Sequence, residues 1–125
     1  MIVGTGIDVA EVSRIGAAIE RFGQRFIRRI YTPAEIAYCQ AKKNAVERFA
    51  GRFAAKEAAT KAIGTGLHFG VTWQDVEVAR MPGGRPTVLF HRAAAQHFAR
   101  LGAKHAHLSI THSGDLAVAQ VIIES

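Results

Sequence analysis

Arg52-Phe53-Ala54-Ala55-Lys56-Glu57-Ala58-Ala59-Thr60-Lys61 lies at the centre of the longest helical pattern in the chain, which runs from about Ala45 to Ile63. Ala, Lys and Glu are strong helix formers, Asn44 is read as the cap, and Gly64-Thr65-Gly66 supplies the stop. Glu57 and Lys61 stand four residues apart and share a helix face. An ordinary exposed pair of this kind is worth only about 0.3–0.5 kcal/mol. Here nearly every neighbour is Ala or Phe, so the pair is expected to be partly buried, and a partly buried carboxylate needs a cation.

Upstream of that helix, the opening Met1 to Ala10 reads as a strand whose Gly4 and Gly6 permit close backbone approach. Asp8 sits in it between Ile7 and Val9, either as a turn or cap carboxylate or as a metal ligand or general base on a rigid element. Asp8 with Glu57 makes two hard oxygen ligands. That is a poor calcium cage but a reasonable Mg²⁺ site, since Mg²⁺ takes one or two carboxylates, waters and substrate phosphates. Val12, Ile15, Ile19, Phe22, Phe26 and Ile30 recur at helical spacing, with Gly23 as the point where the helix bends or splits. If that helix is continuous, Arg14, Arg21, Arg25 and Arg28 fall within about 60° of one another, a solvated face or a docking stripe for an acidic partner. Thr32-Pro33-Ala34-Glu35 begins a further helix to about Ala41, with the hydroxyl, proline and glutamate of a capping box.

Downstream, the period changes to two. Val76 and Val78, with Trp73 at the start, form one strand and Pro86 to His91 another, joined by the turn Pro82-Gly83-Gly84-Arg85. Gly83-Gly84-Arg85-Pro86 is either a plain tight turn or a ligand-facing loop in which Arg85 meets a phosphate or a base. Ala93 to Leu101 is a short helix, and Ala106–Thr111 and Leu116–Glu124 form a hairpin around Ser113-Gly114-Asp115. In the first of these strands His107, Ser109 and Thr111 share one face and Leu108, Ile110 and His112 the other.

The order of elements makes residues 1–125 one α+β domain. With 49% apolar and 21% charged residues, 12 Gly and 3 Pro in 125, a packed core is expected and a disordered or collagenous chain is excluded. No apolar run approaches membrane-spanning length, no secretion signal opens the chain, and the lone Cys39 suits a reducing compartment, so a cytoplasmic protein is expected. A serine-hydrolase elbow, a Walker loop and a dinucleotide fingerprint are all missing, because Gly4-Thr5-Gly6 has no third glycine. Six His and one Cys show no zinc spacing. The net charge of +6 calls for an anionic partner. A nucleic-acid-binding module is the competing reading, opposed by seven Phe at core-like spacing and by the lack of a stacking platform.

Four stretches together, Gly4 to Ile15, Arg52 to Gly66, Gly84-Arg85-Pro86 and Leu108 to Ser113, resemble the holo-acyl-carrier-protein synthase family, the small single-domain branch of the 4′-phosphopantetheinyl transferases. The resemblance runs in order along the whole chain. It implies a small, mainly antiparallel sheet packed against helices, and transfer of phosphopantetheine from coenzyme A to a serine of apo-acyl carrier protein in fatty acid biosynthesis. It also implies release of 3′,5′-ADP, a Mg²⁺ requirement, and a homotrimer with active sites between subunits, with neither nucleic acid nor membrane as partner. On this resemblance Asp8 and Glu57 match the metal-binding acids and Lys61 a phosphate contact, while the serine proton goes to Asp8 or to a metal-held water. Arg52, Lys61, Gly84, Arg85, Pro86, His107, Thr111 and His112 match coenzyme A contacts, and Arg14, with Arg21, Arg25 and Arg28 behind it, the docking helix for the carrier protein.

Overall fold

The computed structural model describes residues 1–125. Its axis is the helix α4 (Ala45–Ala62), of which eleven residues are buried, among them Ala50, Ala54, Ala55, Ala58, Ala59 and Ala62. Methyl-sized side chains bring the helix close to a three-stranded antiparallel sheet of order β1-β5-β4, formed by β1 (Ile2–Glu11), β4 (His105–Ser113) and β5 (Leu116–Glu124). The inward residues of β5, Ala117, Ala119, Val121 and Ile123, have no exposure and complete the contact.

The closest approach is at β1. A Cβ placed on Gly4 would stand 2.0 Å from the Ala62 carbonyl oxygen, and one on Gly6 1.9 Å from that of Ala58. Only hydrogen fits there, so the two glycines seat β1 directly on the last turns of α4.

The amphipathic pattern after β1 forms two helices. Gly23, with φ 58° and ψ −135°, ends α1 (Val12–Phe22) and begins α2 (Gln24–Ile30). The continuous arginine stripe is therefore broken. All four arginines are exposed, but Arg14 and Arg21 lie on α1 whereas Arg25 and Arg28 lie on α2. α1 has no local side-chain cap. Its cap comes from the β4–β5 turn, where Asp115 accepts from the Ser13 backbone N–H (2.9 Å) and hydroxyl (2.5 Å), and the Asp115 carbonyl accepts from Val12 N–H (2.7 Å).

α3 (Pro33–Gln40) has the expected capping box. Glu35 N–H donates to Thr32 Oγ1 at 3.2 Å, and Thr32 N–H to Glu35 Oε1 at 2.8 Å. Asn44 does stand at the N-cap of α4 but makes no cap; its side-chain oxygen accepts from Arg48 Nε at 3.3 Å instead. Trp73 is not in a strand. It lies in a 3₁₀ turn (Trp73–Asp75) and stacks on Phe53 with centroids 4.9 Å apart.

β2 (Val76–Arg80) and β3 (Pro86–Phe90) form a separate antiparallel pair, Arg80 opposite Pro86, and β3 packs beside β4. α5 (Arg92–Arg100) follows. Phe49 is buried, and Phe26, Phe53, Phe90 and Phe98 pack against the core. Phe22 and Phe69 depart from the expected pattern, being 51% and 74% exposed. No helix is long and apolar enough to cross a membrane.

Candidate active site

The seating of β1 on α4 fixes what lies at the far end of their contact. Two residues beyond Gly6, Asp8 meets the helix face that carries Glu57 and Lys61. Lys61 Nζ donates to Asp8 Oδ1 at 2.8 Å and to the Ile7 carbonyl at 3.1 Å. Lys61 is thus paired with Asp8 on the strand, and its side chain is 52% exposed against 13% for Asp8. The hydrogen bond from Lys61 to Asp8 raises the Lys61 pKa, so the amine stays charged.

Glu57 is left without a close cation. Burial, the negative charge of Asp8 and a hydrogen bond shared with Asp8 push its carboxyl up to about 6. Two carboxylates face each other with one exposed ammonium to balance them. That is a pair in want of positive charge. The cleft over them encloses about 640 Å³, and its rim and walls include Arg14, Phe26, Phe53 and Leu116. Arg14 projects into solvent at the rim, 3.8 Å from Glu11.

The donor set fits a hard cation. No cluster of three or more carboxylates, imidazoles or thiols exists in the chain, which leaves out a zinc-type or calcium-type cage. Two carboxylates beside an open cleft suit Mg²⁺, which keeps its waters and takes phosphate oxygens.

A second cleft, of about 710 Å³, lies beside β4, the edge strand opposite β1 in the three-stranded sheet. Met81 and Arg85 from the β2–β3 turn and Pro86 and Thr87 from the start of β3 line it, together with Lys104, His105 and His107. Sequence reading identified Arg85, Pro86 and His107 but missed Lys104 and His105. Their signal was present: the alternation that selects His107 also selects His105, and Lys104 precedes it. His107 Nε2 lies 2.7 Å from the Glu124 carboxylate, whose pKa that hydrogen bond lowers. Gly84 holds the turn, its N–H bonded to the Met81 carbonyl at 2.9 Å.

The other candidates are dispersed. Thr111 is exposed on the outer face of β4. His112 is on the inner face, where its Nε2 bonds the Glu47 carbonyl at 3.0 Å and packs against Gly51. Arg52 lines neither cleft. It is 4% exposed, forms no ion pair and lies 4.1 Å over the Tyr38 ring. Sequence reading also missed the most deeply buried ions. Lys56 and Glu35, both without side-chain exposure, pair at 2.6 Å on the inward side of α4. Burial lowers the Lys56 pKa against the pull of Glu35.

The sequence and the fold that carry these clefts have relatives among known proteins. The model of the 4′-phosphopantetheinyl transferase superfamily matches residues 4–121. The chain is 66% identical over 124 residues, 99% of each sequence, to a protein of Koribacter versatilis named holo-[acyl-carrier-protein] synthase. It is 58% identical over the full length of both to one of that name from Solibacter usitatus. Its fold is similar to the crystal structure of the holo-[acyl-carrier-protein] synthase of Neisseria meningitidis, with a TM-score of 0.91, 33% identity and all of both chains covered. It is also similar to that of Bacillus anthracis in complex with coenzyme A (3′,5′-ADP), with a TM-score of 0.80, 40% identity, and 100% and 98% of the two chains covered. Sequence and fold agree: the chain belongs to the 4′-phosphopantetheinyl transferase superfamily.

Proposed function

We propose that this protein transfers the 4′-phosphopantetheine arm of coenzyme A to a serine hydroxyl of an apo-acyl carrier protein, releasing 3′,5′-ADP. The observation that carries the reading is the Asp8–Glu57–Lys61 constellation, one excess acid in a cleft, in a chain 66% identical to a protein of that activity's name. Asp8 and Glu57 would hold Mg²⁺. An ion held by these two carboxylates would supply positive charge to offset the charge developing on the pyrophosphate as the bond to the leaving 3′,5′-ADP breaks. Lys61, exposed and cationic, reaches the same phosphates. The serine proton passes to Asp8 or to water beside it. Arg85, Lys104, His105 and His107 form the basic wall that suits the nucleotide's phosphates.

The two clefts have no lining residue in common. We assign the protein as a homotrimer with its active sites between subunits, in which coenzyme A spans the acid cleft of one copy and the basic cleft of the next. The outer face of the three-stranded sheet supports this, since Ile7, Val9 and Leu116 are exposed at 57%, 54% and 42%. The arginines of α1 and α2 suit the acidic surface of a carrier protein. We place the reaction in the cytoplasm, in fatty acid synthesis, where the lone Cys39 stays reduced.

The test is an intact-mass assay of apo-acyl carrier protein with coenzyme A, with Mg²⁺ and then with EDTA. The expected result is a gain of one phosphopantetheine group that chelation abolishes. No gain across several carrier proteins, together with salt-sensitive binding to duplex DNA, would replace this reading with the nucleic-acid one.

A further inference from the structure

The reaction as proposed uses Glu57 but makes no use of its neighbour Lys56, and the partners of Lys56 are unusual. Its ammonium donates to Glu35 Oε1 at 2.6 Å and to the Val76 carbonyl at 2.5 Å. The other oxygen of Glu35 accepts from Val78 N–H at 2.7 Å, and Oε1 also accepts from Thr32 N–H at 2.8 Å. No buried side-chain polar atom is left without a partner.

In a strand, the carbonyl of residue i and the N–H of residue i+2 point to the same edge. Val76 and Val78 stand in that relation on β2, whose only strand partner is β3. The buried pair therefore does for the free edge of β2 what a third strand would do. The ammonium takes the place of a neighbouring N–H, and the carboxylate that of a neighbouring carbonyl. A full strand would need several residues of extended chain beside β2; two side chains from α4 and α3 achieve the pairing in the space available.

What this edge carries gives the pair a functional consequence. β2 leads into the turn that holds Arg85, one wall of the basic cleft, and Lys56 is covalently next to Glu57, one of the two site acids. We propose that Lys56 and Glu35 are positioning residues for the nucleotide. By standing in for a strand at the edge of β2, they fix that strand and the Arg85 turn it leads into against α3 and α4, and so hold in place the basic wall that the nucleotide's phosphates meet. Neither touches substrate. The proposal rests on the transferase reading for the ligand's identity, whereas the hold on β2 is a property of the free chain.

The test therefore has two arms. In native-state hydrogen exchange of the wild-type protein, the Val78 amide should exchange no faster than the β2 amides laddered to β3. Faster exchange at Val78 would overturn the proposal without any variant. In the second arm Glu35→Gln, close in shape, weakens the tie; Lys56→Met serves in its place if that variant does not fold. Coenzyme A affinity, read by calorimetry, should fall about ten-fold while KM for the carrier protein stays within about two-fold, and Val78 should lose protection. Both constants refer to folded molecules, so partial unfolding does not imitate the split. Equal changes in both constants, or an unchanged coenzyme A affinity with Val78 deprotected, would leave the pair a purely structural contact. An inactive wild type would count against the transferase reading; the exchange arm and the affinity for coenzyme A would still judge the pair.

Discussion

Lys56 and Glu57 are consecutive residues on α4, yet the two sides of that helix treat charge in opposite ways. On the inward side Lys56 and Glu35 have no exposure, and each charge has a counter-charge and backbone partners. On the cleft side two carboxylates share one half-exposed lysine, and the Glu57 carboxyl is held up at about 6. The satisfied pair holds elements together. The unsatisfied one leaves negative charge that a bound cation would balance. The contrast shows how to separate structural from functional ions in one helix: the criterion is whether the local charges balance without a ligand, not how deeply they lie.

The comparison is broken most directly by Glu57→Gln. Loss of a ligand carboxylate should lower turnover by about 10³-fold, comparable to removing a key electrostatic group from other active sites. Thermal stability should not fall, because the variant removes a carboxylate that Asp8 and burial disfavour. Mg²⁺-dependent turnover within a few-fold of wild type would show that Glu57 is not a ligand. Lys56→Ala should behave in reverse. Removing one partner strands the Glu35 charge and leaves the Val76 carbonyl unpaired, costing about 3–5 kcal/mol of stability. A denaturant midpoint close to wild type would mean that the two sides of the helix are alike after all.

How much of this was legible in the sequence follows the range of each signal. Gly4 and Gly6 read correctly as close-approach positions, because β1 meets one helix and tolerates nothing larger. The Thr32–Glu35 capping box is a four-residue pattern and was equally plain. The second role of Glu35 was not, since its partners Lys56 and Val78 lie 21 and 43 residues away. Nor was the Asp115 cap of α1, 102 residues from Ser13. Periodicity placed Arg14 to Arg28 on one stripe but could not choose between a bend and a break at Gly23, and the structure breaks the helix. The acid pair emerged from a local argument about Ala and Phe around Glu57. The pairing of Lys61 with Asp8 rather than Glu57 depends on the depth at which the glycines seat the strand.

That seating makes the next test. Gly6→Ala places a methyl 1.9 Å from the Ala58 carbonyl oxygen, where no rotamer offers escape. A loss of about 2–3 kcal/mol is expected, with turnover falling as Asp8 is pushed off the helix. A fully stable and active variant would separate the site's geometry from the glycine contact. At the cleft rim the expected effect is smaller. Arg14→Glu should raise KM for the carrier protein about ten-fold, by placing like charge against an acidic partner, and leave coenzyme A affinity unaltered. An unchanged KM would remove Arg14 from the docking surface.

The smallest effect concerns a third carboxylate, intermediate between the two sides of α4. Glu77 is partly buried, which by itself raises its pKa, but hydrogen bonds from Thr32 and His91 together outweigh burial and hold the carboxyl below its ordinary value of 4.5. Thr32 Oγ1 donates at 2.7 Å and His91 Nε2 lies 3.0 Å away. A carboxyl depressed in the folded state binds its proton more readily in the unfolded chain. Its stabilisation is therefore complete above the unfolded value and is lost as pH falls through the native one. Stability measured by urea should decline below about pH 4.5 with a slope that Glu77→Gln reduces. Because Glu77 lies on β2 between Val76 and Val78, the same titration reports on the strand that the buried pair holds. If Glu77→Gln leaves the acid slope as steep as in wild type, the Thr32 and His91 contacts of Glu77 do not carry the acid sensitivity, and the raised Glu57 carboxyl, which favours the folded state as pH falls, cannot account for it either.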